Sequence, residues 1–164
     1  MPTTEQNLKE AFAGESQANR KYLAFAQQAE KEGLKQVAKL FRAAAEAETI
    51  HAHAHLRTMK GIGSTTDNLK EAITGETHEF TKMYPAMIET AKAEGNKAAE
   101  RGFTWANEVE KVHAELYQKA LDQLGNMDET DYYICGACGY TAEGEAPEKC
   151  PVCGANKNAF RKVD

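Results

Sequence analysis

The sequence predicts an all-α protein, a four-helix bundle followed by a small four-cysteine metal-binding module. Three observations carry this. Residues 3 to about 125 are rich in Ala, Glu, Lys, Gln and Leu, with no proline between Pro2 and Pro85, a composition that favours helix. The helical region repeats itself, so two like hairpins account for its length. All four cysteines fall between Cys135 and Cys153, in two C-x-x-C pairs.

Bulk properties narrow the class. A chain of 164 residues is long enough for one core plus a small appendage. Its 41% hydrophobic content is slightly low for a globular protein but far from disordered. A net charge of -5 with no basic stripe argues against a nucleic-acid partner. The opening, Met1-Pro2-Thr3-Thr4-Glu5-Gln6, has no basic-then-apolar run of the secretory kind. No apolar stretch approaches the roughly 18 residues of a membrane span. Without an export signal, paired C-x-x-C spacing favours metal over disulfides. The expectation is a cytoplasmic metal-binding protein that engages no membrane.

Taken in order, Thr3 and Gln6 form a capping box at the start of the first helix. Gly33, Gly61 with Gly63, Gly95 and Gly125 then divide the region into four helices, glycine past the last turn being the usual stop. Pro85 falls inside the third helix and is expected to kink it. Residues 126–131 are polar and aperiodic and read as a linker. The expected domains are therefore residues 1–127 and residues 128–164.

The repeat is specific. Residues 8–16 (LKEAFAGES) match residues 69–77 (LKEAITGET) at an offset of 61. Past one inserted residue the offset is 62, and Gly33, Phe41, Glu48 and His51 match Gly95, Phe103, Glu110 and His113. Each hairpin thus carries one Glu-x-x-His, Glu48 with His51 and Glu110 with His113, whose side chains share a helix face. Glu15 and Glu76 are matched carboxylates on the other two helices. This is the ligand set of a carboxylate-bridged dinuclear site in a four-helix bundle. Gly14 and Gly75 precede those glutamates at a cost of about 1 kcal/mol each relative to Ala; close helix approach would explain them, and simple tolerance is the alternative.

Taken singly, each glutamate is more simply a solvated residue. Against that, Glu48 lies among Phe41, Ala44, Ala45 and Ile50, and Glu110 among Phe103, Trp105, Val109 and Val112. Several carboxylates facing one interior need cations to neutralise them. Mixed carboxylate and imidazole ligation suits iron or manganese. The repeat breaks where Ala18 is answered by Glu79, making residues 76–79 an E-x-x-E and adding a fifth carboxylate. His53 and His78 lie off the ligand face, and His55 reads as a core or supporting residue. Phe12, Phe25, Phe41 and Trp105 read as core. Tyr22 and Tyr84 each lie near a candidate ligand along the helix and could hydrogen-bond a carboxylate.

In the module, Cys135 and Cys138 are separated from Cys150 and Cys153 by 11 residues between Cys138 and Cys150. About 35 residues cannot bury enough apolar surface to fold alone, so a metal must supply much of the stability. Four thiolates suit zinc or iron equally by spacing. A neighbouring dinuclear iron site favours iron, as an electron supply.

Together these features resemble the rubrerythrin family over nearly the whole chain. The helical region carries Glu, E-x-x-H, E-x-x-E and E-x-x-H in that order, followed by the C-x-x-C…C-x-x-C tail. The resemblance implies a ferritin-like bundle with a rubredoxin-like domain. It implies a di-iron site held by Glu15, Glu48, Glu76, Glu79, Glu110 and His113, with His51 replacing Glu79 at one iron on reduction. Cys135, Cys138, Cys150 and Cys153 would hold one further iron, and Tyr22 and Tyr84 match family tyrosines beside the site. The implied activity is reduction of hydrogen peroxide to water in oxidative-stress defence, with electrons from rubredoxin or an NAD(P)H-linked reductase. Iron storage is a weaker reading, because a cage leaves no place for the tail, and a zinc-ribbon interaction protein is the third.

The connection between second and third helices is short. In a ferritin-like bundle these helices run parallel, so the chain must return ~30 Å along them. About six Cα steps reach only ~21 Å. The expectation is a homodimer in which the first hairpin of one chain pairs with the second hairpin of another.

Overall fold

The computed structural model describes every residue from Met1 to Asp164. The four helical segments come in the expected order, the third divided by a π-turn into two helices, and they are followed by a small sheet that was not anticipated from the sequence. The elements are α1 (Thr4–Lys31), α2 (Lys35–Thr58), α3 (Thr65–His78), a π-turn (Glu79–Met83), α4 (Tyr84–Ala93) and α5 (Lys97–Asp122). The strands β1 (Tyr132–Cys135), β2 (Thr141–Glu143) and β3 (Phe160–Lys162) follow. The chain divides into two compact units, Met1–Gly63 and Ser64–Asp164.

The first unit is the hairpin of α1 and α2. The Thr3 side chain accepts from the Gln6 backbone N–H, and the Gln6 side chain caps the Thr3 N–H in return. Gly33, at φ 76, makes the left-handed turn that a β-carbon would oppose. The seam is built of alanines, with Ala26, Ala29, Ala38, Ala45 and Ala52 buried. Asn19 braces it, donating from Nδ2 to the Ala45 carbonyl at 2.7 Å and to Thr49 Oγ1 at 2.8 Å. Larger apolar groups stay outside this seam: Leu40 is 67% exposed and Ile50 66%. Phe25, read above as core, is 45% exposed, because a two-helix seam of alanines is too narrow to cover it.

The second unit begins at Ser64, whose side chain accepts from the Asp67 N–H and caps α3. The stop before it is Lys60 at φ 57 rather than Gly61. In the third helix Pro85 sits in the first turn of α4, directly after the π-turn. The expected kink takes the form of that widened turn. The α5 seam buries Ala91, Val109 and Ala114. A β-carbon on Gly14 or Gly75 would meet nothing within 4 Å, so close approach within the hairpins is not why these residues are glycine.

After α5 no strand forms until Tyr132. β1 is central, paired antiparallel with β2 and β3, with Ile134 opposite Thr141 and Arg161. Cys135, Ala142, Ala146 and Cys150 are the buried apolar residues of this part, a small core as the sequence implied.

Candidate metal centres

The structure gathers three donor clusters, each with its ligand atoms within 4.8 Å of one another: Glu15, Glu48 and His51; Glu76, Glu110 and His113; and the four cysteines. The first cluster lies in the first unit and the other two in the second. Each helical cluster has one carboxylate from the first helix of its hairpin and an E-x-x-H from the other, as the repeat requires.

The two helical clusters have like geometry. His51 Nδ1 lies 3.0 Å from Glu48 Oε2 and 4.0 Å from Glu15 Oε1. His113 Nδ1 lies 2.7 Å from Glu110 Oε2 and 3.7 Å from Glu76 Oε1. In both, one ring nitrogen faces the carboxylates. They differ in exposure: the His51 side chain is 56% exposed and the His113 side chain 28%. They differ also at the far nitrogen, where His113 Nε2 stands 2.9 Å from Thr141 Oγ1.

Electrostatics reveal crowded negative charge. Burial, a hydrogen bond to Glu110 and the charges of Glu110 and Glu79 push the Glu76 carboxyl up to about 7. A carboxyl so raised is a proton-holding site that a cation could take over. In the first hairpin, hydrogen bonds from Glu15 and His51 lower Glu48. Glu79 stands outside the close cluster, at the start of the π-turn, yet its charge is felt at Glu76 and Tyr84.

Tyr84 stacks near Phe103, ring centroids 6.3 Å apart. Burial and the charges of Glu110, Glu79 and Glu76 raise its phenol above the ordinary value, keeping it a proton donor. Tyr22 lies 6.1 Å from Phe41 and 6.3 Å from Phe25 by ring centroid. Neither hydroxyl hydrogen-bonds a carboxylate of its own hairpin. His53 and His78 are exposed and His55 is half-buried, none of them in a cluster.

Two neighbours escaped the sequence reading. Tyr117 is raised by burial and by the charges of Glu76 and Glu110. It answers His55 at the same offset of 62, a signal that was available. Thr141 carried no signal, since its place beside His113 depends on how β2 packs on α5.

In the module, Cys135 Sγ lies 3.7 Å from Cys153 Sγ, and Cys138 Sγ lies 3.5 Å from Cys150 Sγ. A disulfide would bring sulfurs to ~2.05 Å. A metal tetrahedron with ~2.3 Å metal–sulfur bonds sets them about 3.8 Å apart. Burial opposes ionisation of Cys135, but the N–H groups of Ala137 and Cys138 together with hydrogen bonds from the Cys153 and Cys138 thiols bring it down to about 7. Burial pushes Cys138, the second thiol of the same knuckle, well up. In the metal-free protein Cys135 is therefore the thiol of this pair closest to ionising, and a bound cation would have to draw the proton from the other. The donors fit a tetrahedral ion here and hard, oxygen-rich coordination in the helices.

Residues 6–121 match the family model described as Rubrerythrin, and residues 133–161 match the model described as rubrerythrin, rubredoxin-like domain. The chain belongs to the rubrerythrin family. It is 39% identical to Rubrerythrin-2 of Clostridium acetobutylicum, over 96% of this chain and 95% of that one. It is 40% identical to Nigerythrin of Nitratidesulfovibrio vulgaris, over 96% of this chain and 85% of that one. Among solved structures, nigerythrin in a mixed-valence state matches with a TM-score of 0.60 and 38% identity, covering 99% of this chain and 88% of that one. The all-ferrous state of nigerythrin matches with a TM-score of 0.61 and 37% identity, at the same coverage.

As a rubrerythrin-family member, the chain is a di-iron protein with a rubredoxin-like four-cysteine iron site. The family serves in oxidative-stress defence, reacts with peroxide and draws electrons from rubredoxin-type donors, so the role is that of an oxidoreductase. No helix is long and apolar enough to cross a membrane.

Proposed function

We propose that the protein is a peroxidase that reduces hydrogen peroxide to two molecules of water, consuming two electrons and two protons. The observation that carries this is the junction between its two kinds of centre. His113, in a di-iron cluster, lies 2.9 Å from Thr141, three residues from Cys138. An electron-carrying module that touches a di-iron ligand has a short route for delivery. Nigerythrin, solved in mixed-valence and all-ferrous states, supports redox cycling of such a centre.

The ligand set we assign is Glu15, Glu48, Glu76, Glu79, Glu110 and His113, with His51 alternating with Glu79, and four cysteines for the single iron. When bound, the iron pair supplies the two electrons for cleaving the O–O bond. The residues do the rest. The carboxylates would hold the pair and balance its charge. Glu79 offers a hard oxygen donor from the π-turn, where the backbone is already wide. His51, the more exposed imidazole, has room to swing. Tyr84, whose phenol is raised above its ordinary value by burial and by the nearby carboxylates, and Tyr22 are the phenols we assign to orient an oxygen ligand or supply a proton.

We further propose that the working unit is a cytoplasmic homodimer with hairpins exchanged between chains, each chain organised as residues 1–127 and 128–164. Six residues, 59–64, join α2 to α3, and the seven Cα steps from Thr58 to Thr65 reach ~25 Å where a return along parallel helices needs ~30 Å. The exposed Phe25, Leu40 and Ile50 are apolar surface that a partner hairpin would cover. The electron donor is a rubredoxin or an NAD(P)H-linked reductase.

Stopped-flow mixing of the anaerobically reduced protein with peroxide tests the activity. Rapid reoxidation of both the di-iron and the four-cysteine chromophores is expected. A reduced four-cysteine centre that ignores peroxide would remove the reading.

A further inference from the structure

We infer that Thr141 is a positioning residue for the di-iron centre, locking the His113 imidazole and tying it to the four-cysteine module. The inference deepens the reading above and rests on His113 being a metal ligand. It concerns the nitrogen of His113 that faces away from the carboxylates.

An imidazole that gives one nitrogen to a metal keeps a proton on the other, and the partner of that N–H sets tautomer and ring angle. In the His113 ring, Nδ1 faces Glu110 at 2.7 Å and Glu76 at 3.7 Å. Nε2 faces Thr141 Oγ1 at 2.9 Å. The Thr141 hydroxyl can donate to only one acceptor, and the Gly139 carbonyl lies 3.4 Å away in donor geometry. With its proton so directed, the hydroxyl oxygen is left to accept from Nε2–H of His113. That leaves the Nδ1 lone pair for a metal ion or, in its absence, for a carboxyl proton shared with Glu110 at 2.7 Å.

The surroundings strengthen the bond. Leu69, Leu116, Tyr117, Ala120 and Tyr132 line an open pocket of about 340 Å³ beside His113 and Thr141, so the pair stands against mainly apolar groups that offer it few competing partners. The backbone continues the brace: Thr141 sits in β2, opposite Ile134 of β1, and the Gly139 N–H donates to the Cys135 carbonyl. A loop that carries two iron-binding thiolates therefore also fixes a ligand of the other centre. In the first hairpin the corresponding Nε2 of His51 meets no hydrogen-bond partner, and the side chain is twice as exposed, 56% against 28%. The pin at Thr141 explains why, of two sequence-equivalent histidines, His113 would stay and His51 would be free to exchange.

The test compares Thr141→Val, which keeps the β-branched shape without the hydroxyl, with Thr141→Ser, which keeps the hydroxyl. Iron-loaded full-length protein is titrated with a competing ferrous chelator, and iron retained by the carboxylate–histidine centre is measured. Colour from the four-cysteine iron reports that the module is folded. Should valine disturb the strand, Thr141→Ala carries the same comparison. The expected result is retention weakened about 10- to 100-fold in Thr141→Val, as for loss of a ligand's outer hydrogen-bond partner, with recovery in Thr141→Ser. Equal retention in wild type and Thr141→Val, or no recovery with serine, would overturn the inference. Wild-type protein that holds no iron beyond the four-cysteine site would overturn the di-iron reading and this inference with it.

Discussion

The backbone N–H of Tyr84 donates to the carbonyl of Glu79, five residues back, and closes the π-turn of the third helix. The turn falls in the interval, between Thr77 and Glu94, where the offset between hairpins grows from 61 to 62. A π-turn lets a helix absorb one extra residue. The faces on either side keep the register of the first hairpin, so Glu76 still answers Glu15 and Tyr84 answers Tyr22. The widened turn also tolerates Pro85, whose ring would clash with the carbonyl four residues back in α geometry.

Removing the extra residue should therefore be tolerated. Deleting Thr81 together with Pro85→Ala is expected to leave a continuous α-helix with both flanking faces in place. Helix content by circular dichroism should be unchanged and Tm should move by less than about 4 °C, equivalent to roughly 1 kcal/mol. Loss of helix or a collapse in stability would show that the π-turn is more than an absorbed insertion.

The raised Glu76 carboxyl links stability to pH. Its ordinary value is 4.5, and burial with the neighbouring Glu110 and Glu79 raises it to about 7 in the folded, metal-free protein. The folded state then binds the proton more tightly than the unfolded chain. Its contribution is fully present below pH 4.5 and lost as pH rises to about 7, so metal-free stability should fall across that window and level off above it. Urea midpoints at the two ends measure this, and Glu76→Gln should flatten the slope.

The two histidines should not be equivalent to mutation. His113 is anchored at both ring nitrogens, whereas His51 is anchored at one. His113→Ala is expected to lower di-iron affinity by more than the about 10- to 100-fold that loss of a ligand's outer partner costs, and His51→Ala by less than His113→Ala. Iron per chain after dialysis against a weak chelator separates the two; equal losses would contradict the asymmetry.

Stripping metal from the cysteine module should unfold that module alone. Its buried apolar residues are two alanines and two of the ligands themselves, far too little to offset chain entropy without an ion. Under a strong thiophilic chelator, loss of the four-cysteine colour should coincide with loss of amide protection in Tyr132–Cys135 and Thr141–Glu143. Protection in α5 away from Thr141 should persist.

Exchanged hairpins predict complementation. Glu48→Ala disables the first hairpin and Glu110→Ala the second, so each variant alone should be inactive. A swapped heterodimer of the two restores one site in which both hairpins are wild type. Co-refolded in equal amounts, the mixture should regain about a quarter of wild-type activity, since about half the dimers are mixed and each has one good site of two. No regain would mean that each chain completes its own centre.

Much of this was readable from the chain because helices translate spacing directly into geometry. Glu48 with His51 and Glu110 with His113 share a face by virtue of their three-residue step, and the internal repeat supplied Glu15 and Glu76. The cap at Thr3, the Ser64 start and the cysteine knuckles are likewise local, each set by residues within a few positions of one another. Glu79 was visible as a break in the repeat, but the π-turn beneath it was not, since a one-residue offset does not say how the backbone absorbs it.

What the sequence alone determined was the local and the periodic: helix lengths, the paired ligand faces, and a module whose four thiols must meet around an ion. What only the tertiary structure decided was the company those faces keep. The rise of Glu76 needs its neighbours at contact range, and the asymmetry between His51 and His113 needs Thr141, far along the chain, brought to one ring nitrogen. Hydrogen bonds and charge coupling act over a few ångströms between residues distant in sequence, so spacing along the chain cannot anticipate them.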